Sequence, residues 1–186
     1  MIKREIRVLG IACASLHLRN LGSIQVVGVV YRGSLWLEGV MRTVISREQT
    51  NLTSDIARMV AKSPHYPQLR VIVVDRFTTK SGNYIDIKAL SRKTKLPVVA
   101  VLRRKIPIRR FSETGTGDGG ADKAFARLAC TKWKASGRTY SVYHAGLSGM
   151  DLNELLEVCA SRDGAPEAAR VARIAVSSLE TLAREP

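Results

Sequence analysis

The sequence predicts an α/β domain built on one mixed sheet, with an antiparallel opening and a parallel continuation flanked by helices. Three observations lead there. Apolar, β-branched runs such as "LRVIVVD" (Leu69 to Asp75) and "LPVVAVL" (Leu96 to Leu102) are too continuous for half-exposed strands and suit a sheet covered on both faces. Two strand-like runs meet at Arg32-Gly33-Ser34, a tight-turn signal. Segments with helical spacing alternate with the strands that follow, as a parallel sheet requires.

The elements follow in order. Ile6 to Ala14 reads as a first strand, with Gly10 in its centre leaving room for a close approach. "SIQVVGVVYRG" (Ser23 to Gly33) and "SLWLEGVMRTVI" (Ser34 to Ile45) form the expected hairpin. In "NLTSDIARMVAKS", Leu52, Ile56, Met59 and Val60 recur at helical spacing, and Thr53, Ser54 and Asp55 suit its start. The central strand ends at Asp75, a short helix spans Ile85 to Thr94, and Leu96 to Leu102 is the next buried strand. Three strands, a helix, a strand, a helix and a strand is the order of the RNase H-like architecture.

Beyond Leu102 the character changes. "RRKIPIRR" (Arg103 to Arg110) is a basic run interrupted by Pro107. "SETGTGDGGAD" (112–122) reads as a mobile, Gly-rich loop whose glycines do not have the phosphate-binding P-loop spacing. "ADKAFARLACTKWKA" (121–135) is expected to be a helix and "RTYSVYHAG" (138–146) a strand. "MDLNELLEVCAS" carries Asp151 as a cap with Glu154 three residues on, and Pro166 opens a long final helix. No linker or internal repeat divides the chain, so residues 1–186 are expected to form a single domain.

Charge narrows the partners. Thirty Lys and Arg against sixteen Asp and Glu give a net charge of +14 over 186 residues. Such an excess draws polyanions by long-range potential and counterion release, nucleic acid first and anionic membrane second. A solvated basic surface is the bland alternative. The first ten residues lack the apolar stretch of a secretory signal, and no run nears the roughly 20 apolar residues of a membrane span, so a cytoplasmic protein is expected. The three cysteines, Cys13, Cys130 and Cys159, have no zinc-ligand spacing and read as reduced thiols.

Several segments together resemble the archaeal endonuclease dU family, which is similar in fold to endonuclease V. They are "EIRVLGI", "GVVYRGSLWLEGVMRT", "HYPQLRVIVVD", "NYIDI", "LPVVAVLR" and "APEAARVARIA". The likeness spans nearly the whole chain and is weakest between Pro107 and Ala135. It implies an RNase H-like sheet and divalent-metal-dependent cleavage of DNA containing deoxyuridine. Chemistry of that kind holds Mg²⁺ or Mn²⁺ between carboxylates at strand ends, since these hard cations seek oxygen.

By that resemblance Glu38, Asp75 and Asp86 are the remaining catalytic candidates, with Asp75 and Glu38 as metal ligands. Each has a structural alternative. Asp86 suits a helix N-cap, and Glu38 an exposed strand position. Asp75 ends a buried strand and must find a cation or hydrogen bonds. The family's paired aspartates at the end of the first strand are replaced here by Ala12 and Cys13, and its histidine on the last helix by Arg173. Alanine cannot hold a metal, and a thiolate suits zinc better than magnesium. Cys13 could instead be a nucleophile or zinc ligand with His17, or simply a small core residue.

For nucleic-acid binding the candidates are Arg103, Arg104, Lys105, Arg109 and Arg110, with Tyr84 and Trp133 for base stacking. Arg170 and Arg162 stand as structural or binding residues alike. Three readings compete. One is a weakened endonuclease, which an unseen acid such as Glu113 could help. The second is a non-catalytic nucleic-acid-binding protein on a nuclease scaffold. The third is a subunit completed by another chain.

Overall fold

A computed structural model of the chain describes residues 2–13, 22–76, 83–103, 124, 128–147 and 150–182. The Gly-rich stretch 112–122 and all of the basic run after Arg103 lie outside the described residues. Among the described residues seven strands form one sheet: β1 (Arg7–Cys13), β2 (Ser23–Arg32), β3 (Trp36–Ser46), β4 (Val71–Val74), β5 (Val98–Leu102), β6 (Cys130–Ala135) and β7 (Arg138–Ala145). Their order across the sheet is β3-β2-β1-β4-β5-β7-β6. β1, β4 and β5 run parallel, while the β1–β2, β2–β3, β5–β7 and β7–β6 pairs are antiparallel. The opening hairpin and its parallel continuation are thus as the sequence predicts.

Among the described residues four α-helices cover the sheet: α1 (Thr53–Ala61), α2 (Ile87–Thr94), α3 (Leu152–Cys159) and α4 (Glu167–Leu182). None of the described helices is long and apolar enough to cross a membrane. Alternation along the strands divides the core in two. Leu9, Ile11, Ile72 and Val74 face α1 and α2, packing with Ile56, Val60 and Leu90. Val8, Val71, Val73, Val99 and Val101 face α3 and α4, with Leu155, Leu156 and Ala168. All four residues of β4 are buried, which accounts for its unbroken apolar run.

Caps fix where the helices begin. Asp86 accepts the Ala89 N–H at 2.9 Å and opens α2, and Asp151 does the same for Glu154 at 2.8 Å at the start of α3. At α1 the N-cap residue Leu52 makes no side-chain cap, and the Asn51 side chain, two positions before the Thr-Ser-Asp run, accepts from Thr53 N–H at 3.0 Å.

One element departs from expectation. The segment expected as a helix over 121–135 is strand β6 from Cys130 onward, paired with β7 through a two-residue turn at Ser136-Gly137. Both turn residues have positive φ, +49° and +71°, the backbone that matches strand twist in a tight hairpin. Trp133 faces Tyr140 across it with ring centroids 5.4 Å apart, so the aromatic is core rather than surface.

Gly10 sets the position of the last helix. A Cβ there would overlap the Ala168 backbone, so only glycine lets α4 lie this close to β1. Ala12, Val27 and Val29 then pack against Ala172 and Val176.

Candidate functional site

The parallel pairing of β1 with β4 brings two strand tips together. Ile11 is level with Val74, and the Asp75 N–H donates to the Ile11 carbonyl at 3.0 Å. Ala12 therefore stands beside Asp75, on the edge of the sheet where the carboxyl ends of β1, β4 and β5 emerge. Ligands of open α/β sheets bind at such an edge. Period-two alternation sends Ala12 and the Asp75 side chain to the α4 face, and Cys13 to the opposite one.

Asp75 does not meet other acids there. Arg173 Nη1 donates to its Oδ1 at 3.0 Å, and Arg76 Nε lies 3.5 Å from its Oδ2. Each carboxylate oxygen thus faces a guanidinium. Burial still pushes the Asp75 carboxyl above its ordinary value, against the pull of Arg173 and Arg76. The carboxylate side chain is 13% exposed, while Arg173 and Arg76 are 38% and 57% exposed, so the acid lies beneath its counterions. Ala12, at the tip of the neighbouring strand, is 2% exposed and offers only a methyl group. Burial, and then the Asp75 charge, push the Cys13 thiol up to about 12. It is a neutral group against the α1–α2 side of the core, not a thiolate.

These side chains do not fit a magnesium or manganese centre. One carboxylate, two guanidiniums, a methyl and a neutral thiol offer a hard dication a single ligand and two like charges. Among the described residues no three His, Cys, Asp or Glu side chains gather to hold a metal.

The other candidates fall elsewhere. Glu38 is at the opposite end of the sheet, where it accepts from Arg7 Nε and Arg32 Nε at 2.7 Å each. Arg7 begins β1 and Cys13 ends it, about 20 Å apart at the usual strand rise. Glu38 is thus a structural ion pair remote from Asp75, because β3 enters the sheet at that end. Desolvation raises its carboxyl, but hydrogen bonds and charge from Arg32 and Arg7 prevail and hold it below the usual range.

Asp86 is the α2 cap already described, and its own N–H donates to Thr53 Oγ1 at 2.9 Å. Tyr84 is 7% exposed and packed in the core, so its ring presents no stacking face. Arg170 pairs with Glu167 at 2.6 Å in the first turns of α4, and Arg162 is exposed, its carbonyl accepting from Ser136 Oγ at 3.0 Å.

Arg103 is exposed and leaves β5 at the same edge as Asp75, one strand over. Arg104, Lys105, Arg109 and Arg110, with Glu113 and His17, lie outside the described residues. The sequence reading missed Arg76 as part of the site. The signal was present: a strand-final aspartate followed directly by arginine.

Comparison with known proteins agrees with this architecture. A family model described as Endonuclease dU matches residues 4–180. A "UPF0215 protein" of Methanothermobacter thermautotrophicus is 33% identical over 193 residues, covering 96% of this chain and 89% of the relative. A crystal structure of a protein of unknown function from Archaeoglobus fulgidus superposes with a TM-score of 0.78 at 27% identity, covering 94% of this chain and 98% of that one. Human endonuclease V has the same fold, with a TM-score of 0.66 at 17% identity and coverage of 97% and 86%. Endonuclease V of Ciona intestinalis, solved with a 24mer DNA containing inosine, gives 0.59 at 11% identity and coverage of 95% and 87%.

Proposed function

The chain belongs to the endonuclease dU family, and from that premise we propose that it binds deaminated, deoxyuridine-containing DNA on a nuclease scaffold while metal-dependent cleavage at Asp75 is weak or absent. The observation that carries this reading is the Arg173 guanidinium 3.0 Å from the Asp75 carboxylate. A cation supplied by the chain itself already meets the charge that a metal would meet. Support for DNA as the partner comes from the net charge of +14, from the exposed Arg103 and Arg76 at the strand-end edge, and from a neighbour of the same fold solved with DNA. The scaffold is retained, and the departures gather at one place: Ala12, Cys13 and Arg173.

The test is cleavage and binding of uracil-containing oligonucleotides with Mg²⁺ or Mn²⁺. It compares the natural chain, Asp75→Ala, and an Ala12→Asp/Cys13→Asp variant. The expected result is uracil-DNA binding by the natural chain, with little or no cleavage. Robust cleavage that disappears in Asp75→Ala would overturn the reading. Failure of the chain to bind DNA would overturn it as well.

A further inference from the structure

We propose that Arg173 and Arg76 form a phosphate clamp that takes a backbone phosphodiester of the bound nucleic acid directly, with no divalent cation between them, and that Asp75 is its positioning residue. The proposal rests on the reading that this chain binds nucleic acid, and adds to it where and how a phosphate is held.

The charge balance is the first argument. One carboxylate and two guanidiniums carry a net +1, so the trio attracts an anion instead of closing on itself. Each guanidinium is a planar fork of five N–H donors. Arg173 gives one nitrogen to Asp75 Oδ1, and Arg76 approaches Oδ2 through Nε. The donors beyond those are the ones that suit phosphate oxygens, which guanidinium forks match in a bidentate manner.

Position is the second argument. The acid is 13% exposed and the two arginines 38% and 57%, which places the anchor beneath and the cations above it toward solvent. The supports are rigid. Arg76 stands two residues past the end of β4, a strand buried along its whole length. Arg173 is carried by α4, which Gly10 allows to lie against β1. The neighbouring Ala172 is fully buried in the packing with Ala12 and Val176. Arg103 leaves β5 at the same edge, extending a positive surface along it.

Chemistry joins the two. In a metal nuclease centre carboxylates hold the cation and the cation holds the phosphate. Here the cation is tethered to the chain, so the phosphate contact persists when metal is removed. A guanidinium supplies neither the activated hydroxide nor the Lewis acid that hydrolysis needs. The clamp binds without cutting.

The experiment measures the affinity of the full chain for a fluorescent uracil-containing duplex between about 50 and 200 mM salt, in EDTA and in Mg²⁺. Arg76→Ala is one variant. The second is Asp75→Ala/Arg173→Ala, which removes both members of the ion pair so that no buried charge is orphaned and folding is preserved. Natural-chain binding is expected to persist in EDTA with affinity no lower than in Mg²⁺, as a metal-free contact requires, because Mg²⁺ competes as a counterion for the phosphates. Each variant should lower the slope of log affinity against log salt by about 1, equal to one phosphate contact. The natural chain would then lose about fourfold more affinity than either variant over that salt range. DNA binding that requires Mg²⁺ overturns the clamp, as do unchanged slopes in both variants of a chain that binds DNA. Those outcomes leave the binding function standing, whereas no binding by the natural chain removes both.

Discussion

Arg173 on α4 and Asp75 at the end of β4, 98 residues apart in sequence, meet at 3.0 Å. The contact ties the last helix to the central strand at the edge where a metal-dependent nuclease would collect carboxylates. It depends on two small residues. Gly10 lets α4 approach β1, and Ala12 packs with Ala172, the residue before Arg173.

Arg173→Ala leaves a largely buried carboxylate with Arg76 as its nearest counterion. We expect a loss of about 1–3 kcal/mol, less than for a fully buried pair because Arg173 is partly exposed. The pH dependence follows from the Asp75 carboxyl being raised already, and rising further without Arg173. A raised carboxyl contributes stability below its unfolded value and loses it as pH rises through the folded one. The deficit against the natural chain should therefore be greatest at neutral pH and shrink on acidification. Urea unfolding across that range measures it, and a deficit that grows on acidification would contradict the assignment.

Glu38→Gln removes a carboxylate held low by Arg32 and Arg7. Its contribution is present above the unfolded value of about 4.3 and fades as pH falls through the lower folded value. We expect a cost of about 1 kcal/mol near neutral pH, reduced by the exposure of the two arginines, and none in strong acid. DNA affinity should stay unchanged, since Glu38 is at the far end of β1. A change in DNA binding equal to that of Arg76→Ala would place Glu38 in the site after all.

Gly10→Ala drives a methyl group into the Ala168 backbone. The cost should reach about 3 kcal/mol or more, since backbone yields less than a flexible side chain. Displacing α4 also separates Arg173 from Asp75, so melting temperature and DNA affinity should fall together. A variant of natural stability would show that α4 does not rest on β1 as described.

Much of the sheet is legible in the sequence because burial on both faces writes itself as continuous Val and Ile runs, and β4 and β5 are read directly. Strand β6 is not, because "CTKWKA" is half exposed and its two lysines and alanine suit a helix as well; only the Ser-Gly turn marks the hairpin. At the site, the meeting of Ala12 with Asp75 follows from parallel pairing of neighbouring strands, which alternation of elements implies. Arg173 as the partner of Asp75 could not be read, because the contact rests on how a helix nearly a hundred residues later is rotated and how closely Gly10 admits it. Glu38 misled for a related reason. Residue type and family motif fix what a side chain can do, whereas only strand direction tells which end of the sheet holds it. Asp86 had a cap as its structural alternative, which the Ala89 N–H contact matches, whereas Tyr84 was read only as a stacking residue and is buried in the core.

At the Asp75 centre the carboxylate is held by arginine rather than by a divalent cation. Titration of the full chain with Mn²⁺, with free Mn²⁺ followed by electron paramagnetic resonance, tests it most directly when the natural chain is set beside an Ala12→Asp/Cys13→Asp/Arg173→His variant. No stoichiometric Mn²⁺ binding is expected in the natural chain, together with binding and a Mn²⁺-dependent rise in melting temperature in the variant. Stoichiometric binding by the natural chain that is abolished by Asp75→Ala would contradict it.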